Sequence, residues 1–285
     1  MALEWLNDLV TSYEIPVGKW AKNAVDWLID NGGFFFDWIS DQLETMIDAV
    51  LWLLSFPNPL VFVLLLVALA WYLKRSIGFP VFVALSTLLI LNQGYWDEML
   101  QTLALVLAAS LVCMVVGVPI GIAAAHSKAF SAFIRPVLDL MQTIPTFVYL
   151  IPALILFGLG MVPGLIATVI FAIPAPIRLT ELGVKSVPTQ LIEAGKSFGA
   201  TPMQLLFKVE LPYAIPNIMA GLTQTIMLSL SMVVIAALVG APGLGVPVIR
   251  ALNTVNIAKG FEAGLVIVLV AILLDRFLRY EREDN

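Results

Sequence analysis

One glutamate, a run of small residues and a Leu-Pro step sit at fixed intervals in a polar island between long apolar runs. Glu193-Ala194-Gly195 opens the island, Gly199 follows four residues after Gly195, nine residues (Ala200 to Lys208) intervene, and Val209-Glu210-Leu211-Pro212 closes it. The chemistry these residues can do is docking. A helix seated in another protein's groove needs small residues where backbones approach, and Ala194, Gly195 and Gly199 supply them. Glu193, near the start of a short helix, is favoured by the helix dipole or anchors a partner. Thr201-Pro202 restarts the chain as N-cap and first-turn residue. Met203, Leu206, Phe207 and Leu211 then recur at helical spacing as an apolar face. The island therefore reads as helix, turn, helix. An ordinary amphipathic hairpin on a membrane protein would share that periodicity; the complete spacing from Glu193 to Pro212 favours a docking element.

Other chemistries fail on residue supply. Gly195-Lys196-Ser197 imitates the end of a phosphate-binding loop, but the first glycine of that motif would fall on Gln190. No nucleotide site is expected in this chain. The single histidine, His126, stands beside Ser127-Lys128 at a span end, and the single cysteine, Cys113, lies in an apolar run. With so few soft ligands and nucleophiles, neither a metal site nor a catalytic residue is expected. Gly243-x-Gly245 lacks the third glycine and the strand context of a dinucleotide fingerprint.

The elements that must position the island are membrane spans. Sixty per cent of the 285 residues are hydrophobic, 12% are charged, and the mean hydropathy is +0.98, a composition far from that of soluble proteins. The fold class expected is an all-α integral membrane protein with about seven transmembrane helices. The apolar runs place them at 58–73, 77–93, 98–124, 138–159, 162–183, 214–239 and 261–279. Setting the 184–213 loop in the cytoplasm puts eleven basic residues inside (Lys74, Arg75, Lys128, Arg135, Arg178, Lys185, Lys196, Lys208, Arg276, Arg279, Arg282) and four outside (Lys19, Lys22, Arg250, Lys259). The positive-inside rule supports that orientation, with the N-terminus outside and the C-terminus cytoplasmic. No cleavable signal peptide is evident at the acidic, Trp-containing start.

Residues 1–56 form an amphipathic, interfacial region bearing nine acids (Glu4, Asp8, Glu14, Asp26, Asp30, Asp37, Asp41, Glu44, Asp48) and two lysines. Residues 36–54 read as a helix with Phe36, Ile39, Leu43, Ile47, Val50 and Leu54 on one face. Trp20, Ala24, Trp27 and Leu28 suggest a shorter helix upstream. Trp5, Trp20, Trp27, Trp38 and Trp52 suit a lipid–water interface; the acids and tryptophans could instead greet a cationic solute. Residues 57–93 carry two accessory spans and 94–280 a core, whose three spans from 98 to 183 are rich in Gly and Pro. Proline inside a span kinks it, which suits a pathway that changes shape. Gln142, Thr143, Thr146, Tyr149, Gln224, Thr225 and Ser229 are candidate pathway-lining groups, with interhelical hydrogen bonding as the other reading. The loop from Val239 to Pro247 is expected outside, as an external or re-entrant element.

The 193–212 spacing resembles the EAA loop of ABC-importer permeases, with Gly195 in place of the third-position Ala and Val209 in place of Ile. Residues 98–280 are similar to the permease domain of type I ABC importers. Asp139–Pro152, Gly195–Pro202, Leu211–Gly221 and Met232–Gly245 look most like permeases of glycine betaine/proline (osmoprotectant) importers. The resemblance implies the type I permease fold in a bacterial inner membrane, with the 193–212 loop as the coupling element. It implies two copies of an ABC ATPase subunit binding ATP and Mg in place of this chain, an extracytoplasmic substrate-binding protein, and a permease homodimer in the lipid membrane. No cofactor of its own and no nucleic-acid partner are expected. Choline, carnitine or an amino acid remain alternative solutes. A secondary transporter would predict paired intramembrane charges and inverted repeats, and a membrane scaffold would not require the Glu193–Pro212 spacing.

Overall fold

The computed structural model describes Thr11, residues 16–74 and residues 77–278. Glu4, Trp5, Asp8, Glu14, Arg75, Arg279 and Arg282 lie outside the described residues. Every regular element among those described is helical. In chain order they are α1 (Val17–Ser55), α2 (Pro59–Lys74), α3 (Gly78–Asn92), α4 (Trp96–His126), α5 (Lys128–Thr143), α6 (Thr146–Phe157), α7 (Met161–Ala172), α8 (Pro174–Lys185), α9 (Thr189–Ser197), α10 (Pro202–Leu205), α11 (Leu211–Ala237), α12 (Gly245–Asn253) and α13 (Ile257–Leu278).

Four stretches are long and apolar enough to cross a membrane: Trp96–His126, Met161–Lys185, Pro202–Ala237 and Ile257–Leu278. Two further apolar stretches are bent pairs, and α3 is a shorter apolar helix. Each of the seven runs expected from sequence falls on one of these, but two of them, and the segment upstream, differ in shape from the expectation.

The run at 138–159 is not one helix. It breaks between α5 and α6 with a bend of 95°. Pro145 holds Ile144 extended (ψ 130°), as the residue before proline prefers. Proline also lacks the N–H that would bond the Met141 carbonyl four residues back. The Tyr149 hydroxyl bonds that carbonyl instead, and reaches the Ile144 carbonyl at 2.8 Å.

The run at 214–239 does not start afresh after the polar island. Pro202–Ala237 runs as one 36-residue helical stretch, because the first turn is capped and only a local π turn, not a break, intervenes. Upstream, α1 is a single 39-residue helix rather than two. Gly32 and Gly33 weaken a helix by about 1 kcal/mol each but do not stop it, and no proline lies within the segment.

The expected faces of α1 are present. Ile47 is buried, with Leu43, Met46, Val50, Leu51 and Leu54 beside it, against Ala104, Leu105, Ala108 and Leu165 of the bundle. Asp37, Asp41, Glu44 and Asp48 are exposed. The helix crosses α2 at 89°, so if α2 stands along the membrane normal α1 lies in the plane of the interface. The ring of Phe36 meets Phe157 edge-on, 5.7 Å between centroids.

The core of the bundle is α4, α7, α8 and α11. Helices α4 and α8 approach closely because Gly117 and Gly121 present no side chains. A Cβ on Gly121 would sit 2.6 Å from the Ile177 carbonyl oxygen and 2.7 Å from Thr180 Cβ. This small-xxx-small spacing lets helices pack where apolar lipid offers no hydrophobic drive between them.

Candidate functional site

Helix α9, the turn after it and the start of the Pro202–Ala237 stretch make a hairpin that projects from one end of the bundle. Its turn is built by Gly199. The Ala200 N–H bonds the Gly195 carbonyl at 3.1 Å and the Gly199 N–H bonds the Lys196 carbonyl at 2.9 Å. That pair is the Schellman pattern, and Gly199 takes the left-handed conformation it requires, φ +76°. Two residues on, the Thr201 hydroxyl accepts from the Gln204 N–H (3.3 Å) while the Gln204 side chain accepts from the Thr201 N–H (2.9 Å). This reciprocal capping box starts the second arm.

The arms are held together by one close contact. A Cβ on Gly195 would stand 2.6 Å from Leu205 Cδ2, and Leu205 is buried. Val209 lies alongside, 3.8 Å from the same position. Glu193 sits in the middle of α9, exposed, and no acid occupies the first turn. The helix dipole fades within one turn, so the dipole role expected for Glu193 does not fit this position, and its carboxylate faces outward. Ala194 is exposed beside it, and Leu211 and Pro212 continue the second arm.

Three apolar residues of the hairpin point away from the chain's own core. Phe198 is 91% exposed, Met203 65% and Phe207 60%. A shallow cavity of about 600 Å³ lies at the base of the hairpin, lined by Leu191, Gly195, Lys208, Val209, Pro212 and Tyr213. The hairpin thus offers an unfilled apolar tip, a solvent-facing carboxylate and small residues on its flank, which together suit insertion into a partner's groove.

Polar contacts near this end of the bundle escaped the sequence reading. Glu181 of α8 is buried, and its Oε1 accepts from Ser131 Oγ (2.7 Å), Arg135 (3.1 Å) and Lys185 (2.5 Å). Arg178 and Asp139 pair at 2.6 Å across the same cleft. These contacts tie α5 to α8. The i, i+4 spacing of Glu181 and Lys185 was a visible signal; the partners on α5 were not.

The candidate pathway residues divide into two groups. Thr225 and Ser229 are buried and donate to the Gly221 and Thr225 carbonyls of their own helix, at 2.7 and 2.8 Å. Tyr149 is buried and committed to the α5–α6 break. These three hydroxyls are used within the chain. Gln142, Thr143 and Gln224 are exposed and Thr146 partly so.

At the opposite end, the loop after α11 folds back over the bundle. The Leu244 N–H bonds Thr102 Oγ1 at 2.9 Å and the Gly160 N–H bonds the Val239 carbonyl at 2.9 Å. Beside it opens a cavity of about 580 Å³ lined by Tyr95, Glu98, Gln101, Arg250, Asn256 and Lys259. Burial pushes the Tyr95 phenol above its ordinary pKa, partly opposed by the nearby Lys259 charge, so Tyr95 presents a hydroxyl at neutral pH.

Residues 117–280 match the family described as the binding-protein-dependent transport system inner membrane component. The glycine betaine transport system permease protein OpuAB of Bacillus subtilis (strain 168) is 49% identical over 262 residues, 92% of this chain and 93% of its own length. The glycine betaine/carnitine transport permease protein GbuB of Listeria monocytogenes serotype 1/2a (strain 10403S) is 47% identical over 265 residues, 92% of this chain and 94% of its own. Among solved structures, a chain of the MetNI methionine ABC transporter in an inward-facing conformation superposes with a TM-score of 0.56 and 25% identity, over 63% of this chain and 92% of that one.

Proposed function

This chain belongs to the family of binding-protein-dependent transport system inner membrane components, and from that premise we propose that it is the permease subunit of an ATP-driven importer for glycine betaine and related compatible solutes. Its fold is that of a type I ABC importer permease. The observation that carries the coupling role is the exposed hairpin with its apolar tip at Phe198, Met203 and Phe207.

In this reading the hairpin docks on a separate ATPase subunit in the cytoplasm, and that subunit binds ATP and Mg. Two permease copies enclose the pathway, two ATPases drive it, and a substrate-binding protein delivers solute to the opposite face, where the cavity around Tyr95 and Arg250 opens. The N-terminus then lies outside the cytoplasm and the C-terminus inside. Gln142, Thr143, Thr146 and Gln224, which this chain leaves uncovered, are the polar groups available to face the pathway between copies. Solute choice rests mainly with the binding protein, since an aromatic cage suits a quaternary ammonium.

The test is ATP hydrolysis in nanodiscs containing this chain, its ATPase and its binding protein, with glycine betaine, proline, choline and carnitine offered in turn. Stimulation by glycine betaine that is lost with Glu193→Ala supports the reading. Stimulation by choline or carnitine alone keeps the permease role and replaces the solute. An ATPase that never associates removes the role.

A further inference from the structure

The hairpin is joined to the bundle at a second point, and the joint is made by the chain's single histidine. Glu210, which stands between Val209 and Leu211-Pro212, is buried, 8% exposed. Its Oε2 lies 2.9 Å from Nε2 of His126, the last residue of α4. The other ring nitrogen, Nδ1, lies 2.9 Å from the Ile122 carbonyl one turn back, which fixes the ring's orientation. Both ring nitrogens thus face oxygens, one on α4 itself and one on the second arm of the hairpin. Oε2 has no well-aligned hydrogen-bond donor. The contact is close in distance, and it is a charge pair when the ring is protonated.

The backbone is adapted to make this contact. Residues Leu206–Glu210 form a π turn, in which the Leu211 N–H bonds the Leu206 carbonyl five residues back. In a regular helix Leu205 and Glu210, five residues apart, would diverge by about 140° around the axis. The wider turn brings them toward the same side, and both are buried. Leu205 is the residue wedged under Gly195, and Glu210 is the residue held by His126. One short, capped stretch thus connects the hairpin's inner contact to the end of α4. Single π turns inside α-helices recur at functional positions. Helix α4 then runs the length of the bundle to Thr102, which holds the loop over the far cavity through the Leu244 N–H.

We propose that His126 and Glu210 are a positioning pair that transmits displacement of the hairpin to α4, and through α4 to the loop at the opposite mouth. This rests on the hairpin being the ATPase-docking element. Glu210 is buried while Phe198, Met203 and Phe207 are exposed, so the pair is expected to act on coupling rather than on docking.

The experiment compares wild type, His126→Gln, Glu210→Gln, the double variant and His126→Arg, each reconstituted with the ATPase and binding protein, with glycine betaine as the solute. The readouts are co-purification of the ATPase and the ratio of solute-stimulated to unstimulated ATP hydrolysis. The expected result is retained co-purification with a ratio lowered about fivefold or more in each single variant, the low end of two-site coupling. The double variant should be no worse than the singles, and His126→Arg, which places a permanent cation beside Glu210, should recover most of the ratio. His126 is half exposed, so His126→Gln leaves no cavity and remains informative even if Glu210→Gln misfolds. Ratios unchanged from wild type, or losses that multiply in the double variant, overturn the proposal. A wild-type chain that fails to retain the ATPase overturns the functional reading beneath it, and this proposal with it.

Discussion

Leu205 fills the space that a side chain on Gly195 would need, its Cδ2 lying 2.6 Å from where a Cβ would be. The two arms of the hairpin are locked at that point, and the departure from alanine at the third position of the EAA pattern has a partner.

The contact is with the flexible end of leucine, so Gly195→Ala should be nearly neutral. Overpacking costs about 1–3 kcal/mol, while alanine returns about 1 kcal/mol of helix propensity over glycine. Gly195→Val has no such latitude and should separate the arms. Thermal unfolding in detergent and ATPase co-purification should both register the difference: little change for alanine, loss of the ATPase for valine.

Gly199 is constrained by backbone rather than by space, since nothing lies within 4 Å of a Cβ built there. At φ +76° a Cβ costs about 1–2 kcal/mol, and asparagine tolerates the conformation best among non-glycine residues. Gly199→Asn should keep substrate-stimulated ATP hydrolysis largely intact and Gly199→Val should abolish it, with the transmembrane bundle stable in both.

Tyr149 stands in for the N–H that Pro145 lacks. Tyr149→Phe should destabilise the protein by about 1 kcal/mol, the low end of the cost of leaving a polar group unpaired, since the carbonyl is only partly buried. Combining it with Pro145→Ala, which restores an N–H, should shrink that penalty. Equal penalties in the two backgrounds, measured by thermal unfolding, would show that the hydroxyl does not serve the carbonyl.

Much of this was legible in the residues and some was not. Periodicity located the apolar runs and the inner face of α1, because burial repeats locally along a helix. The spacing from Glu193 to Pro212 located the hairpin, because turn and cap residues act within a few positions. What escaped were the consequences of distant pairing: the 95° break, set by Pro145 together with a tyrosine four residues later; the continuity of Pro202–Ala237; and the contacts of Glu181 and Glu210 with residues more than 40 positions away. A periodic pattern carries no information on which face meets which helix.

The Glu181 network should respond unevenly. Arg135 is 62% exposed at its side chain, so Arg135→Gln should cost at most about 1 kcal/mol, as for other solvated pairs. Glu181→Ala removes the buried acceptor of three donors, and should cost about 1–3 kcal/mol by losing charge-assisted bonds between α5 and α8. Equal effects on thermal stability would place the network at the surface rather than in the packing.

The docking role of the hairpin is tested most directly by proximity cross-linking in native membranes. Cys113 is buried and can be replaced by alanine, after which a single cysteine is placed at Phe198 or, as a control at the other end of the molecule, at Trp27. A thiol-directed cross-linker should join Phe198→Cys to the ATPase subunit, with labelling only from the cytoplasmic side, and should leave Trp27→Cys unjoined to it. Labelling of Phe198→Cys from outside the cell, or no ATPase product at this position in a transport-competent complex, would contradict the account.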